Sequence, residues 1–447
     1  MRYIPHTEDD VARMLDAIGV PTVESLFAPI PEKLRLGRAL ALPEAASEQQ
    51  VLAELGALAA LNANAETHRW FLGAGTYAHF VPSAVDALAG RSEFYTSYTP
   101  YQPEISQGTL QAIFEWQTMI CGLTGLEVSN ASMYDGASAA AEAVLMAMRL
   151  TRRHKIVSAG LHPHYRDVVR SYVAGPEGKL ALLPRDPATG RTPVPADAID
   201  AETACVIVQQ PSFTGAVEDV RAAAEAAHAR GALLVVVVTE ALSLALLRSP
   251  GDLGADVVCG EAQSFGVPMS FGGPHLGFLA TRARFVRQMP GRVVGETVDA
   301  RNRRGFVLTL STREQHIRRE RATSNICTNQ GLMLLRATIY LALLGRQGLR
   351  ALALGNLAKA AYLRARVTAT PGLGAPLSAP VFNELVVRVP DSAERALARA
   401  LDDGAVGGLD LAPYAPDLGP SVLVCATELV SRDAIDRLVR ALAGAAR

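Results

Sequence analysis

The residues best able to do chemistry gather in five runs. The densest is 94–107 (FYTSYTPYQPEISQ), which carries the phenols of Tyr95, Tyr98 and Tyr101, the amide of Gln102 and the carboxylate of Glu104. Phenols can hydrogen-bond a carboxylate or carry a proton in a polar pocket. Pro100 and Pro103 fix backbone angles and exclude a regular helix, so the run is a stiff loop. The same composition also suits a surface loop whose tyrosines cover apolar neighbours.

The second run, 130–139 (NASMYDGASA), opens an Ala-rich helix. A helix start offers free N–H groups that can bind phosphate. Asp135, however, reads as a natural N-cap there, and its carboxylate would repel a phosphate. The third run, 257–278 (VVCGEAQSFGVPMSFGGPHLGF), is a strand, a Gly- and Pro-rich loop and another strand. Loops at the carboxyl ends of parallel strands are where such folds place ligands. His275 in this loop is a candidate acid or base, although a lone histidine also serves structure. The fourth, 313–330 (REQHIRRERATSNICTNQ), puts six charged side chains before a polar patch at a helix start. It reads either as a solvated arginine-rich face capped by Ser324 or Asn325, or as a site for carboxylate, phosphate or a protein partner. The fifth is His162-Pro163-His164, too sparse for a metal site on its own.

The elements that must position these runs can be read from periodicity. Residues 7–65 look helical, with Thr7 as N-cap and Asp10 three positions on, and 47–62 is an amphipathic helix. Residues 68–103 are irregular. From about 106, helices (107–121, 136–150, 219–229) alternate with continuous apolar strands (155–158, 180–183, 205–208, 233–238, 256–259, 277–280). That grammar predicts an α/β domain whose mainly parallel sheet is covered on both faces. Two long helices, 330–344 and 349–367, precede a small α+β segment made of FNELVVRV, SAERALARALDDG, SVLVCATEL and SRDAIDRLVRALAGA. The expected division is an N-terminal helical segment (1–65), a large α/β domain (66–345) and a small C-terminal α+β domain (346–447).

Composition narrows the function. The chain has 447 residues, half of them apolar, and a formal charge of −1, so nothing global draws it to nucleic acid or an anionic membrane. The longest apolar stretch, 231–238, is too short to span a bilayer, and the N-terminus lacks a secretory pattern. A cytoplasmic protein is expected. The five cysteines form no CxxC pair and no zinc site is visible, so no metal is expected. Cys327, beside the fourth run, reads as redox-sensitive or simply packed. The 43 basic residues include only four lysines, Lys33, Lys155, Lys179 and Lys359.

Taken together, YTPYQPEISQG, NASMYDGA, QSFGVPMSFGGPHLGF, EQHIRR and SNICT resemble the glycine decarboxylase (P-protein) of the glycine cleavage system. They match the N-terminal-half type, subunit 1, and the resemblance runs essentially the whole chain. It implies a fold-type-I, aminotransferase-like architecture. It also implies a reaction that turns glycine and the oxidised lipoyl group of H-protein into carbon dioxide and aminomethyl-lipoyl H-protein, with pyridoxal phosphate as the electron sink.

The lysine count then decides what this chain can contribute. In the lysine-bearing subunit 2 of that family, the Schiff-base lysine lies where this chain has EAQSF, which puts Gln263 at its position. No lysine exists between Lys179 and Lys359. The ring-nitrogen aspartate corresponds to Glu240, and Asp135 stands at the would-be phosphate site. The resemblance thus implies that the partner subunit 2 binds the cofactor covalently. This chain would complete the partner's active site, two of each subunit forming the assembly. The residues singled out for that role are Tyr98, Tyr101, Ser324, Asn325 and Thr328, with Thr96 and Gln102 nearby. Arginines between 313 and 321 are candidates for holding glycine's carboxylate or docking acidic H-protein. The alternatives are a non-catalytic structural or regulatory pseudo-enzyme subunit, and an independent pyridoxal-phosphate enzyme with a displaced lysine. A Rossmann dinucleotide binder would need a GxGxxG turn that is absent.

Overall fold

The computed structural model describes residues 5–95 and 98–444, so Thr96 lies outside the described residues. The chain divides into two compact units, Met1–Asn62 and Ala63–Arg447. In the first, helix Glu8–Ile18 starts at Thr7, whose hydroxyl accepts from the Asp10 amide while the Asp10 carboxylate accepts from Thr7. Helix Glu48–Ala59 opens with the same reciprocal device between Ser47 and Gln50. The continuous helicity expected over 7–65 is not found. Between these helices only two single turns form, Val23–Phe27 and Glu32–Leu34. Pro21, Pro29, Pro31 and Pro43 remove the donors a helix needs there.

The second unit is built on a seven-stranded sheet. Its strands are β1 (Val128–Ser129), β2 (Lys155–Ala159), β3 (Lys179–Leu182), β4 (Thr203–Gln209), β5 (Leu233–Val238), β6 (Val257–Glu261) and β7 (Gly277–Thr281), in the order β1-β7-β6-β5-β4-β2-β3. Strands β3, β2, β4, β5 and β6 run parallel, whereas β7 is antiparallel to both β6 and β1. Successive side chains of a strand point to opposite faces. Accordingly Val206, Val208, Leu234, Val236 and Val258 join one apolar core, while Cys205, Ile207, Val235, Val237 and Val257 join the other. Helices Gln107–Thr124 and Val220–His228 cover the first face. Helices Gly136–Thr151 and Pro163–Ala174 cover the second. Burial on both faces explains why these strands read as unbroken apolar runs rather than alternating ones.

A hairpin that the sequence reading did not anticipate follows β7: Val293–Val298 pairs antiparallel with Arg304–Thr309. The two long helices expected after it are one run, Gly331–Ala369, broken at Gly345, whose φ of 58° and ψ of −177° are open to glycine. Beyond it an antiparallel sheet of Glu384–Arg388, Ser421–Cys425 and Leu409–Asp410 packs with helices Ala393–Asp402 and Arg432–Ala443 around its own apolar core. No helix among the described residues is long and apolar enough to cross a membrane.

Candidate active site

Strand β6 delivers Glu261 and Gln263 to the carboxyl edge of the sheet. Gln263 is fully committed to its own chain. Its Nε2 donates to the carbonyls of Tyr77 (3.0 Å) and Val267 (2.6 Å), and its Oε1 accepts from the Tyr77 amide (2.9 Å). Both amide protons and the oxygen are used, and the residue is buried. Glu261 fills the adjoining helix start. Its Oε2 accepts from the Gly136 amide (2.9 Å), and its Oε1 accepts from Gln263 (3.1 Å) and Leu276 (2.8 Å). Such a set of donors is what makes a buried carboxylate tolerable. The carboxylate also lies 3.4 Å from His275 Nδ1 and, by accepting its hydrogen bond, raises the pKa of that imidazole. Asp135 caps the same helix through Ser138 (2.8 Å). The N–H groups of Gly136 and Ser138, which a phosphate would use, therefore end on the chain's own carboxylates.

Glu240, just past β5, is equally engaged. Its Oε2 accepts from His79 Nε2 (3.1 Å) and Asn383 Nδ2 (3.0 Å), and its Oε1 from the Leu242 amide (3.0 Å). The other ring nitrogen of His79 donates to Glu428 (2.9 Å). Burial works against a charge on His79, but the two carboxylates outweigh it and lift its pKa to about 10. Nearby, Glu384 accepts from the Ala74 amide and the Tyr77 hydroxyl, both at 2.7 Å, and burial pushes its pKa up to about 7. The void left between Tyr77, Ser212, Thr239, Glu240 and Glu384 measures about 10 Å³. That is at the lower limit for one water molecule. These residues do not fit pyridoxal phosphate: no lysine stands at Gln263, carboxylates take the helix-start N–H groups, and the void among Tyr77, Glu240 and Glu384 is too small for a ring.

A second cluster is open. Arg292, at the entry to the hairpin, is its hub. Its Nη2 donates to the Tyr101 hydroxyl (2.7 Å) and the Cys327 carbonyl (2.8 Å), and its Nη1 to Thr328 Oγ1 (2.7 Å). Its Nε lies 3.5 Å from the Glu314 carboxylate. The guanidinium is buried, yet it brings two half-exposed or exposed candidates, Tyr101 and Thr328, onto one rigid fork. Beside it a cleft of about 230 Å³ is lined by Tyr95, Tyr98, Thr99, Ile113, Thr328 and Leu332, among others. Tyr98 is 86% exposed. The polar patch is pinned from behind by the second run: Tyr134 accepts from the Cys327 amide, Ser132 from the Gln330 amide, and Ala131 O from Asn329.

Of the five residues singled out from sequence, Tyr101 and Thr328 meet on Arg292 and Tyr98 faces the same cleft. Ser324 and Asn325 lie outside it. Ser324 accepts from the Ile326 amide (3.0 Å), and Asn325 is within 3.5 Å of Gln315. Gln102 is exposed. Arg313 is a clamp, donating to the carbonyls of Met289, Gly291 and Leu310. Sequence reasoning missed Arg292; the only trace was a charged residue opening an otherwise apolar strand, GRVV. It also missed Glu261 and His79. Among the described residues no group of three or more His, Cys, Asp or Glu is placed to hold a metal.

Comparison with known proteins fixes the family. The Glycine cleavage system P-protein family matches residues 1–442. The chain belongs to this family. The probable glycine dehydrogenase (decarboxylating) subunit 1 of Anaeromyxobacter dehalogenans is 54% identical over 453 residues, covering all of both chains. That of Desulforamulus reducens is 49% identical over 443 residues, covering 99% of each. A crystal structure of a glycine decarboxylase (P-protein) of the glycine cleavage system, in inhibitor-bound form, superposes with a TM-score of 0.90 at 48% identity over 99% of both chains. A sphingosine-1-phosphate lyase of Burkholderia pseudomallei (TM-score 0.65, 17% identity, 92% and 93% coverage) shares the fold alone. The fold is thus the fold-type-I α/β architecture expected from the sequence.

Proposed function

We infer that this P-protein family member is subunit 1 of a two-subunit glycine dehydrogenase (decarboxylating) that works in the cytoplasm. It acts on glycine and lipoyl H-protein beside a homologous, lysine-bearing subunit 2, two of each. Pyridoxal phosphate is held by subunit 2, where it supplies the electron sink for loss of carbon dioxide. One observation carries this reading. The chain's own cofactor position is closed by Gln263, Glu261 and Glu240, whereas Tyr98, Tyr101 and Thr328 face outward around a buried guanidinium.

The work left to this chain is orientation and proton handling at the partner's pocket. Arg292 holds the Tyr101 oxygen and the Thr328 hydroxyl oxygen as acceptors. The phenolic proton of Tyr101 and the hydroxyl proton of Thr328 stay free to donate outward to an anionic group. Tyr98 adds a third hydroxyl at the rim, and Ser324 and Asn325 precede Thr328 in its own segment.

The test is exchange of labelled carbon dioxide into glycine by the complete complex with H-protein, comparing the parent with the double variant Tyr98→Phe/Tyr101→Phe. A fall of about 100-fold or more, in the range for lost proton handling, with an intact assembly supports the reading. Unchanged exchange in an intact assembly would make this chain a structural or regulatory pseudo-enzyme instead.

A further inference from the structure

On the side of helix Gly136–Thr151 where its last turn lies, a cavity of about 340 Å³ is walled by Arg149, Arg287, Arg313, Arg318 and Arg321, with the Thr312 hydroxyl among them. No carboxylate lines it. Some half-buried arginines elsewhere in this unit find acids: Arg69 and Arg437 bind Asp403, Arg366 binds Asp436, and Arg399 binds Asp391, whereas Arg153, Arg191 and Arg364 end on carbonyls. Among the described residues, Arg321 alone of the cavity's five has an acid partner, Glu320 at 3.8 Å, with both side chains about four-fifths exposed, and Arg313 ends on the carbonyls of Met289, Gly291 and Leu310. A pair that exposed neutralises little. The side chains of Arg287 and Arg318 are exposed and, among the described residues, hold no hydrogen-bond or ion-pair partner, although the Arg318 amide donates to the Glu314 carbonyl within its helical turn. Arg149 gives one bond to the Gln288 carbonyl (3.2 Å) and keeps its Nε buried without a partner. Glu142 and Glu314 act on Arg149 and Arg313 only at longer range.

Five like charges around one concavity repel one another, an effect that solvent screens at the exposed Arg287, Arg318 and Arg321 and that a bound anion would reverse. Two non-glycine residues, Leu310 (φ 57°) just before the arginine segment and Arg319 (φ 53°) within it, have positive φ, which costs energy. We propose that this cavity is a binding site for a compact polyanion of the phosphate-ester or diphosphate class. Guanidinium forks match phosphate oxygens two at a time, and the concavity encloses a charged group rather than a flat protein face. The cavity adjoins the Tyr101–Arg292–Thr328 cluster through Arg313, which donates to the Gly291 carbonyl, but includes none of its three residues, and the proposal stands or falls independently of the reading above, because binding is measured on this chain itself.

The probe is pyrophosphate, titrated calorimetrically into the full chain at fixed ionic strength with chloride as background anion. Saturable binding of one pyrophosphate per chain is expected. Arg287→Ala and Arg318→Ala should each weaken it about tenfold, since a hydrogen bond to a charged group contributes that much. Neither side chain has a partner in the fold, so the ligand-free melting temperature should not move. Arg395→Ala, on an exposed helix face elsewhere, should bind like the parent. Binding that is absent above the chloride background, or equal in all three variants, overturns the proposal. Loss of pyrophosphate binding on adding subunit 2 or H-protein also overturns it, since the cavity is then a docking surface for an acidic protein segment.

Discussion

Two regions of the second unit carry similar chemical types and use them in opposite ways. At the carboxyl edge of β5 and β6, Gln263, Glu261 and Glu240 end on other groups of the same chain. Around Arg292, the buried guanidinium is satisfied while the groups it holds remain at the surface. The first arrangement leaves no donor or acceptor of Gln263, Glu261 or Glu240 for an outside group. The second leaves the hydroxyls of Tyr101 and Thr328 at the surface. What separates them is where the satisfied atoms lie, since each sets a cationic donor, His79 or Arg292, beside a carboxylate with hydroxyls close by.

The largest effect should come from trying to reopen the closed region. Gln263→Lys places an amine at this position but removes three buried hydrogen bonds and buries an unpaired ammonium among backbone groups. We expect a loss of about 3–5 kcal/mol in urea unfolding and no borohydride-trapped pyridoxal adduct by mass. A stable, trappable variant would show that the region is still a cofactor site. Next, Arg292→Ala should cost about 2–4 kcal/mol, because it leaves the buried Glu314 carboxylate uncompensated. It should also abolish most exchange activity by freeing Tyr101 and Thr328. Arg292→Lys, keeping the charge but not the fork, should recover stability more than activity.

The His79 network gives a pH test of the closed region. Its folded pKa lies above the unfolded value of 6.5, at about 10. Its contribution to stability is therefore complete below about pH 6.5 and is lost as pH rises through about 10. The stability gap between the parent and His79→Gln should shrink steadily from pH 7 to pH 10. A gap that widens would mean that the histidine is neutral in the fold. Smallest of all, Tyr98→Ala should change unfolding free energy by less than about 0.5 kcal/mol, as an exposed side chain does. Its activity in the complex should nevertheless fall.

The same contrast marks what was legible in the sequence. Strands β4, β5 and β6 could be read because burial on both faces leaves an uninterrupted apolar run. The cap at Asp135 could be read because its partner, Ser138, is three residues away. The hairpin could not, because Gly295, Glu296, Arg304 and Gly305 break the strand pattern where its surface is half exposed. The closed region was half legible. Gln263 showed through the missing lysine, but Glu261 reaches Gly136 across 125 positions and His79 reaches Glu240 across 161. Arg292 was invisible for the same reason, since Tyr101 lies 191 residues from it. Local capping and burial leave marks in a sequence; a carboxylate or guanidinium satisfied from far away does not.

The most direct measurement mixes this chain with pyridoxal phosphate, alone and with its lysine-bearing homologue, and follows visible absorbance, borohydride trapping and carbon dioxide exchange with H-protein present. The account predicts colour and exchange only in the mixture, with the trapped adduct on the homologue. A trapped adduct and turnover from this chain alone would contradict it.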